Sequence, residues 1–360
     1  MSNVHARAFR ATLFSRRQSE ISRRAALYEG LLDRGRIEQY QLSAFNATWT
    51  TCLEEIPFYR SWAAKHALPP RIEVIADLAS FPVLTKRDIV DNSEEIFRNG
   101  RITSAYSTGG TTGTPTRYPR GDRDFFSIYA DVYTARGWWG IRPLDPYIHL
   151  WGHSHLFGGS RIAQIKRAAA DRIVGATRLN AYDMSNEALE RHFRTYQNAT
   201  PAYLVGYTSA LFRLARHIEN NHPGSRLPSI RAVVATAETV SQADAETISR
   251  VFGAPLINEY GAAEVGDMAV SRESTWNMQV LWASCILHLT ETDDIQVTTL
   301  NPRLFPLINY AVGDRAVGID VERGNALRLS AVTGRSQDTI TLRDSNGGVF
   351  TYRPYFQFTY

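Results

Sequence analysis

The chain has 360 residues, 44% of them hydrophobic and 21% charged, enough apolar material for one large or two ordinary buried cores. Its 40 Lys and Arg against 36 Asp and Glu leave a net charge of only +4, and the basic residues are scattered, which argues against a nucleic-acid partner. Two cysteines, Cys52 and Cys285, with no CxxC, exclude a disulfide framework or a Cys-rich zinc site, and no apolar run reaches membrane-spanning length, so the expectation is a cytoplasmic protein without a membrane partner.

In chain order, residues 18–65 predict two helices, with Pro57 interrupting the second near its end. Thr85 followed by Asp88 resembles a capping box opening a short helix. The segment Tyr106-Ser-Thr-Gly-Gly-Thr-Thr-Gly-Thr-Pro-Thr116 combines hydroxyl side chains with three glycines. Glycines let backbone N–H groups approach an anion and hydroxyls add donors, which is the chemistry of a phosphate cradle. The spacing is not that of a P-loop, and Thr114 stands where a P-loop lysine might be expected. A polar loop between two strands is the alternative. Asp122 to Trp139 predicts a helix and Tyr147 to Trp151 a strand.

Strands and helices then alternate. Ala202–Val205, Ile230–Ala235 and Pro255–Tyr260 read as strands. Leu211, Leu214, Ala215 and Ile218 mark an amphipathic helix, and Ser241 with Asp244 caps another. This rhythm predicts an α/β fold with parallel sheets covered by helices, and ligands at the C-terminal ends of the strands. From about residue 270, shorter strands with Gly, Asn and Asp turns predict a small β-rich lobe.

Several segments, taken in order, resemble the adenylate-forming superfamily, and its phenylacetate–CoA ligase-like branch most closely. Ser107 to Pro115 resembles the phosphate loop, and Ala237-Glu238 the segment beside the adenine. Asn258-Glu-Tyr-Gly-Ala-Ala-Glu-Val-Gly266 resembles Y-G-x-x-E, Tyr310-Ala-Val-Gly-Asp314 resembles Y-x-T-G-D, and Gly334-Arg-Ser-Gln-Asp338 resembles the hinge motif. Ile56–Arg60 and Phe81–Asp88 are similar to the branch's N-terminal region.

The resemblance implies ATP-dependent activation of a small carboxylic acid to an acyl adenylate with release of pyrophosphate. The acceptor is then CoA, a carrier protein or an amine. It implies ATP and Mg²⁺ as cofactors, with CoA as a third. Thr111 and Thr112 would donate to the β- and γ-phosphates, within a phosphate loop of Ser107, Thr108, Gly109, Gly110, Thr111, Thr112 and Gly113. Glu264 would hold Mg²⁺, a hard ion that takes one or two carboxylates plus phosphate oxygens; a helix-start acid is its alternative reading. Ala237, Glu238, Asn258, Glu259, Tyr260 and Gly261 would line the nucleotide site. Asp314 would bind ribose hydroxyls and Arg335 the ribose or phosphate. A Gly-Asp turn and a surface arginine at a turn are the alternatives. Trp151, His153, Tyr207 and Ala262 would face the acid. His153 and His155 lack the partners of a zinc site.

The sequence departs from the family at two places. Thr114 replaces the phosphate-loop lysine. Only Ser336 to Tyr360 follow Arg335, where relatives carry a mobile domain of roughly a hundred residues that supplies a lysine. The last lysine here is Lys166. The expected organisation is a large domain over residues 1–335 and a hinge with a domain remnant over 336–360. A weak or inactive nucleotide- or acyl-binding module, completed by a partner subunit, is the second reading. A phosphotransferase releasing ADP is the third.

Overall fold

The computed structural model describes residues 3–97, 104–107, 117–152, 161–301, 303–335, 340–343 and 349–352. In chain order its strands are β1 (Ser104–Ser107), β2 (Arg117–Arg120), β3 (Tyr147–Trp151), β4 (Ala176–Asn180), β5 (Tyr203–Tyr207), β6 (Ala232–Thr236), β7 (Leu256–Ala262), β8 (Gly266–Arg272), β9 (Ser274–Val280), β10 (Cys285–Leu289), β11 (Asp294–Thr299), β12 (Tyr310–Glu322), β13 (Asn325–Arg335), β14 (Ile340–Arg343) and β15 (Val349–Tyr352). Two compact units emerge. The first comprises residues 1–26, 129–261 and 270–278; the second comprises 27–128, 262–269 and 279–360. Among the described residues, no helix is long and apolar enough to cross a membrane.

The first unit is built on parallel strands in the order β4-β3-β5-β6-β7. The inner strands β5 and β6 are buried over four consecutive residues each, as a sheet covered on both faces requires. Leu204, Val233 and Leu256 of the sheet form one core with Leu211, Leu214, Ile248 and Phe252 of the helices. The helix Gln242–Phe252 starts in the capping box expected of Ser241 and Asp244 and ends at Gly253, in the left-handed region at φ 68°. Gly206 is required by closeness: a Cβ there would lie 2.8 Å from the Leu150 carbonyl oxygen.

Three elements of this unit escape the sequence pattern, the helix Arg161–Val174, β4 and the helix Asn186–Ala199. Ala-Thr-Arg-Leu-Asn lacks an apolar run because β4 is the sheet's edge and has only β3 beside it. The helix Asn186–Ala199 had a legible signal in its Ser185 cap and its buried Leu189, Phe193 and Tyr196.

In the second unit, Pro57 does not interrupt a helix. It occupies the first turn of a new one, Pro57–Lys65, where its missing N–H costs nothing. Phe45, Trp49, Tyr59, Trp62, Phe81 and Phe305 pack edge-to-face and stacked, at 5.2–6.4 Å between centroids. The expected β-rich lobe is the antiparallel set β10-β11-β12-β13, and β13 also pairs with β10. The Thr85–Asp88 capping box opens a helix at Lys86. Just before it, Leu84 bridges Tyr310: its N–H donates to the Asn309 carbonyl at 3.0 Å, and its carbonyl accepts from Ala311 at 2.9 Å.

Among its described residues the first unit buries two ion pairs, Arg24 with Asp131 and Arg136 with Glu259. Arg136 Nε and Nη2 donate to both oxygens of Glu259, at 2.7 and 2.8 Å, and both residues are under 10% exposed. Burial opposes the Arg136 charge, yet the Glu259 carboxylate and its hydrogen bonds hold that guanidinium above its ordinary pKa. Removing one partner strands the other charge in an apolar layer. Arg136→Ala is expected to lower the unfolding free energy by about 3–5 kcal/mol, and the apolar double variant Arg136→Met/Glu259→Met by less. Guanidinium denaturation of the three proteins measures both.

Candidate active site

The residues singled out by the sequence fall on both units. In the first unit they gather on one edge, because every strand of the parallel sheet runs the same way. The chain order reverses between β3 and β5, the switch point at which open α/β sheets bind ligands. Trp151 ends β3 and Tyr207 ends β5, and their rings stack at 4.3 Å with a 26° tilt. His149 lies beside Trp151 at 5.1 Å between ring centroids. These rings form an aromatic wall suited to an apolar acyl group.

The turn after β6 carries Ala237 and Glu238. Ala237 is exposed and adopts φ 65°, a left-handed conformation that costs a non-glycine residue free energy. Glu238 holds that turn. Its carboxylate accepts from the Ser209 N–H at 2.7 Å and the Ser209 hydroxyl at 3.0 Å. It thereby caps the helix Thr208–Asn221, whose own N-cap, Tyr207, supplies no side-chain cap. The Glu238 side chain is therefore an anchor for the loop.

On β7, Asn258 is fixed by its neighbours. Its N–H donates to Ser271 Oγ at 2.8 Å, and its amide donates to Met278 Sδ at 3.6 Å. The expected nucleotide role of the Glu259 side chain needs correction, since Arg136 engages both of its oxygens. Tyr260 and Gly261 follow, both part-buried.

In the second unit, Glu264 lies in the three-residue turn between β7 and β8 and not at a helix start. It is 7% exposed. Tyr310 OH donates to its Oε1 at 2.8 Å, and Lys86 Nζ lies 4.0 Å from the same oxygen. Burial, and next the Glu264 carboxylate, push the Tyr310 hydroxyl far above its ordinary pKa, so it keeps its proton. Tyr118 OH lies 3.0 Å from Tyr310 OH. A phenol has one proton, and Tyr310 gives its own to Glu264, so Tyr118 is the donor in that contact. The turn's backbone is clamped as well: Arg303 donates to the Glu264 carbonyl at 3.1 Å and to that of Val265, and Arg120 donates to that of Ala263. Ala262 starts the turn and accepts from the Val265 N–H at 3.0 Å.

Asp314 and Arg335 are strand residues, and neither sits at a turn. Antiparallel pairing of β12 with β13 sets them directly opposite one another. Gly313, just before Asp314, takes φ 88°. Ser107 pairs with Arg117 across β1 and β2, so the two ends of the glycine-rich segment lie side by side. Thr108, Gly109, Gly110, Thr111, Thr112, Gly113 and Thr114 lie outside the described residues, as does His153. Sequence reasoning quoted Tyr310 and Lys86 inside motif segments without giving them a role, and missed Tyr118, Arg120 and Arg303. Lys86 had a signal, being one of three lysines in the chain.

No family profile matches the chain. It is 26% identical over 324 residues to the phenylacetate–coenzyme A ligase of Escherichia coli K12, a stretch covering 83% of this chain and 71% of that protein. It is 22% identical over 304 residues to protein CapK of Staphylococcus aureus, covering 80% of this chain and 65% of CapK. Its fold matches 2-hydroxyisobutyryl-CoA ligase in the postadenylation state, with a TM-score of 0.70 and 17% identity over 89% of this chain and 71% of that one. The likeness to phenylacetate–coenzyme A ligases runs over most of the chain and supports its resemblance to the phenylacetate–CoA ligase-like branch of the adenylate-forming superfamily. The chain spans about two thirds of the length of these relatives.

The buried Glu264 carboxylate depends on its tyrosine donor. Tyr310→Phe is expected to destabilise the protein by about 1–3 kcal/mol, the cost of leaving a buried acceptor unsatisfied. Tyr118→Phe, which keeps the Tyr310–Glu264 contact, is expected to cost less. Urea unfolding of both variants tests this order.

Proposed function

We propose that the chain uses ATP to convert a carboxylic acid to its acyl adenylate, releasing pyrophosphate, and that the acyl group then passes to the thiol of CoA. The observation that carries this reading is the convergence of Trp151, Tyr207, Ala237, Glu238 and Asn258 to Tyr260 on the C-terminal edge of one parallel sheet, at its switch point. The phenylacetate–coenzyme A ligases and the ligase structures holding acyl-AMP and CoA support it. The compartment we propose is the cytoplasm, where ATP and CoA are available.

A carboxylate is nucleophilic enough to attack the α-phosphate without a catalytic serine or cysteine. The protein's tasks are to align two anions and to balance the charge developing on phosphorus. The Trp151–Tyr207 wall would hold the apolar part of the acid. Ala237, Asn258, Tyr260 and Gly261 would line the adenine, with Glu238 keeping its loop in place. Asp314, with Arg335 opposite, would receive the ribose hydroxyls. The hydroxyls and amides of 107–113 would hold the β- and γ-phosphates. Glu264 offers the hard carboxylate oxygens that Mg²⁺ favours, so the residue fits the ion. When bound, Mg²⁺ would neutralise charge on the phosphate oxygens. Tyr310, Arg303 and Arg120 would fix that carboxylate and its turn before ATP arrives.

Thr114, where relatives have lysine, favours a second reading as a weakly turning-over or binding-only module, completed by a partner subunit. One assay separates the readings: pyrophosphate exchange across a panel of aromatic and aliphatic acids, with AMP and ADP quantified. The proposal expects acid-dependent exchange and AMP. ADP, or exchange indifferent to the acid, overturns it. Binding of ATP or acid without exchange supports the second reading, and exchange raised by Thr114→Lys identifies a weak enzyme. Replacing CoA by a carrier-protein thiol tests the acceptor. Glu264→Gln, which keeps the shape and loses the charge, is expected to slow exchange by at least about 100-fold, with its circular dichroism unchanged.

A further inference from the structure

The helices Asn186–Ala199 and Thr208–Asn221 of the first unit carry a cluster for which acid activation has no use. Glu190 Oε2 lies 2.7 Å from His222 Nε2 and 3.3 Å from His217 Nε2. The three atoms lie within 4.8 Å of one another, in the one such group of His, Cys, Asp or Glu among the described residues. In a continuing helix, residues five apart point about 140° away from each other. His217 and His222 do not, because the helix ends between them. His222 is its C-cap, at φ −136° and ψ 54°, and its N–H closes the last turn on the Ile218 carbonyl at 2.8 Å. That break returns the second ring to the first, with centroids 5.8 Å apart.

The cluster is also held from outside. Phe193 stacks on His222 at 3.8 Å with a 17° tilt. Asn221 Nδ2 lies 3.2 Å from His217 Nδ1 and donates to the His217 carbonyl at 3.0 Å. Arg194 engages the other Glu190 oxygen, Oε1, at 3.1 Å. His217 is 9% exposed, so one ligand comes from the core.

We propose that Glu190, His217 and His222 form a binding site for a divalent transition-metal ion, with Zn²⁺ the best fit. Two imidazoles and one carboxylate are a zinc donor set, whereas Mg²⁺ and Ca²⁺ prefer oxygen throughout. Zinc–nitrogen and zinc–oxygen bonds of about 2.0–2.2 Å put two ligands of a tetrahedral ion roughly 3.3 Å apart. His217 and Glu190 already have that spacing. His222, at 2.7 Å from Glu190, would draw back by about 0.6 Å, and the two Nε2 atoms, within 4.8 Å of each other, would settle at the same spacing. Each Nε2–H now donates to Glu190 Oε2, since an ionised carboxylate only accepts. On binding, that proton leaves to solvent or moves to Nδ1 as the ring changes tautomer. Three protein ligands leave a fourth position for water. The ion would clip two helices through ligands 27 positions apart, Glu190 and His217.

The test is independent of adenylation. Full-length protein stripped with chelator is titrated with ZnCl₂ by calorimetry, and with CoCl₂ by visible absorption. The expected result is one equivalent of Zn²⁺ bound at micromolar affinity or tighter, and a tetrahedral Co²⁺ spectrum. His222→Ala, at a part-buried helix end, is expected to weaken binding by at least about 100-fold, beyond the usual effect of an outer-shell change, with its circular dichroism unchanged. Glu190→Gln should behave alike, while His66→Ala, at an exposed histidine elsewhere, should bind as wild type. Zinc should raise the melting midpoint of the wild type by roughly 5 °C at a hundredfold excess over Kd and leave His222→Ala unmoved. Absence of a saturable single site in the wild type overturns the proposal, as does unchanged binding in His222→Ala.

Discussion

The parallel register of β4-β3-β5-β6-β7 is the constraint on which the rest depends. A parallel ladder covered on both faces, as β5 and β6 are, disfavours unpaired polar side chains along its strand interiors, so free polar groups gather at the strand ends. Because all five strands run one way, their carboxyl ends lie on one edge. Segments separated by up to a hundred residues, such as 151 and 258, share that edge without any specific contact drawing them together. Gly206 is part of the same constraint, since any side chain there would push β5 off the β3 backbone.

Where polar groups are buried, they are paired or anchored. Arg136 and Glu259 form a closed bidentate pair inside the first unit. In the second, Glu264 is served by Tyr310, Tyr310 by Tyr118, and the turn's carbonyls by Arg120 and Arg303. Desolvation penalises any of these groups left alone, so the surrounding structure fixes their orientation. A carboxylate whose position is fixed beforehand loses little entropy when a cation or phosphate arrives, which is the physical sense of preorganisation at Glu264. Glu238 works differently. It spends its charge on the N-terminus of the next helix, and the exposed backbone of the strained Ala237 turn becomes what it presents.

The strands and helices that alternate from residue 202 to 260 were legible because burial imposes apolar runs and 3.6-residue periods. The caps at Ser241 and Thr85 were legible because they are local. β4 was not, since an edge strand needs no apolar run. Pro57 misled because proline breaks a helix and starts one equally well, and the choice rests on what packs against the following residues. The motif segments were readable as a family resemblance. Their division of labour was not, since Glu259 and Glu264 stand five residues apart in one motif and serve unlike ends.

By itself the sequence determined the fold class, the alternating elements from residue 202 to 260 and the family resemblance, because hydrophobic period, capping chemistry and short motifs are properties of neighbours along the chain. Tertiary structure alone decided which acids are committed to buried pairs, that Tyr310 and Lys86 attend Glu264, and that Asp314 faces Arg335. It also decided that a helix ending at Asn221 turns two histidines onto Glu190. These are distances between residues far apart in sequence, set by strand register, helix termination and packing, and no local pattern encodes them.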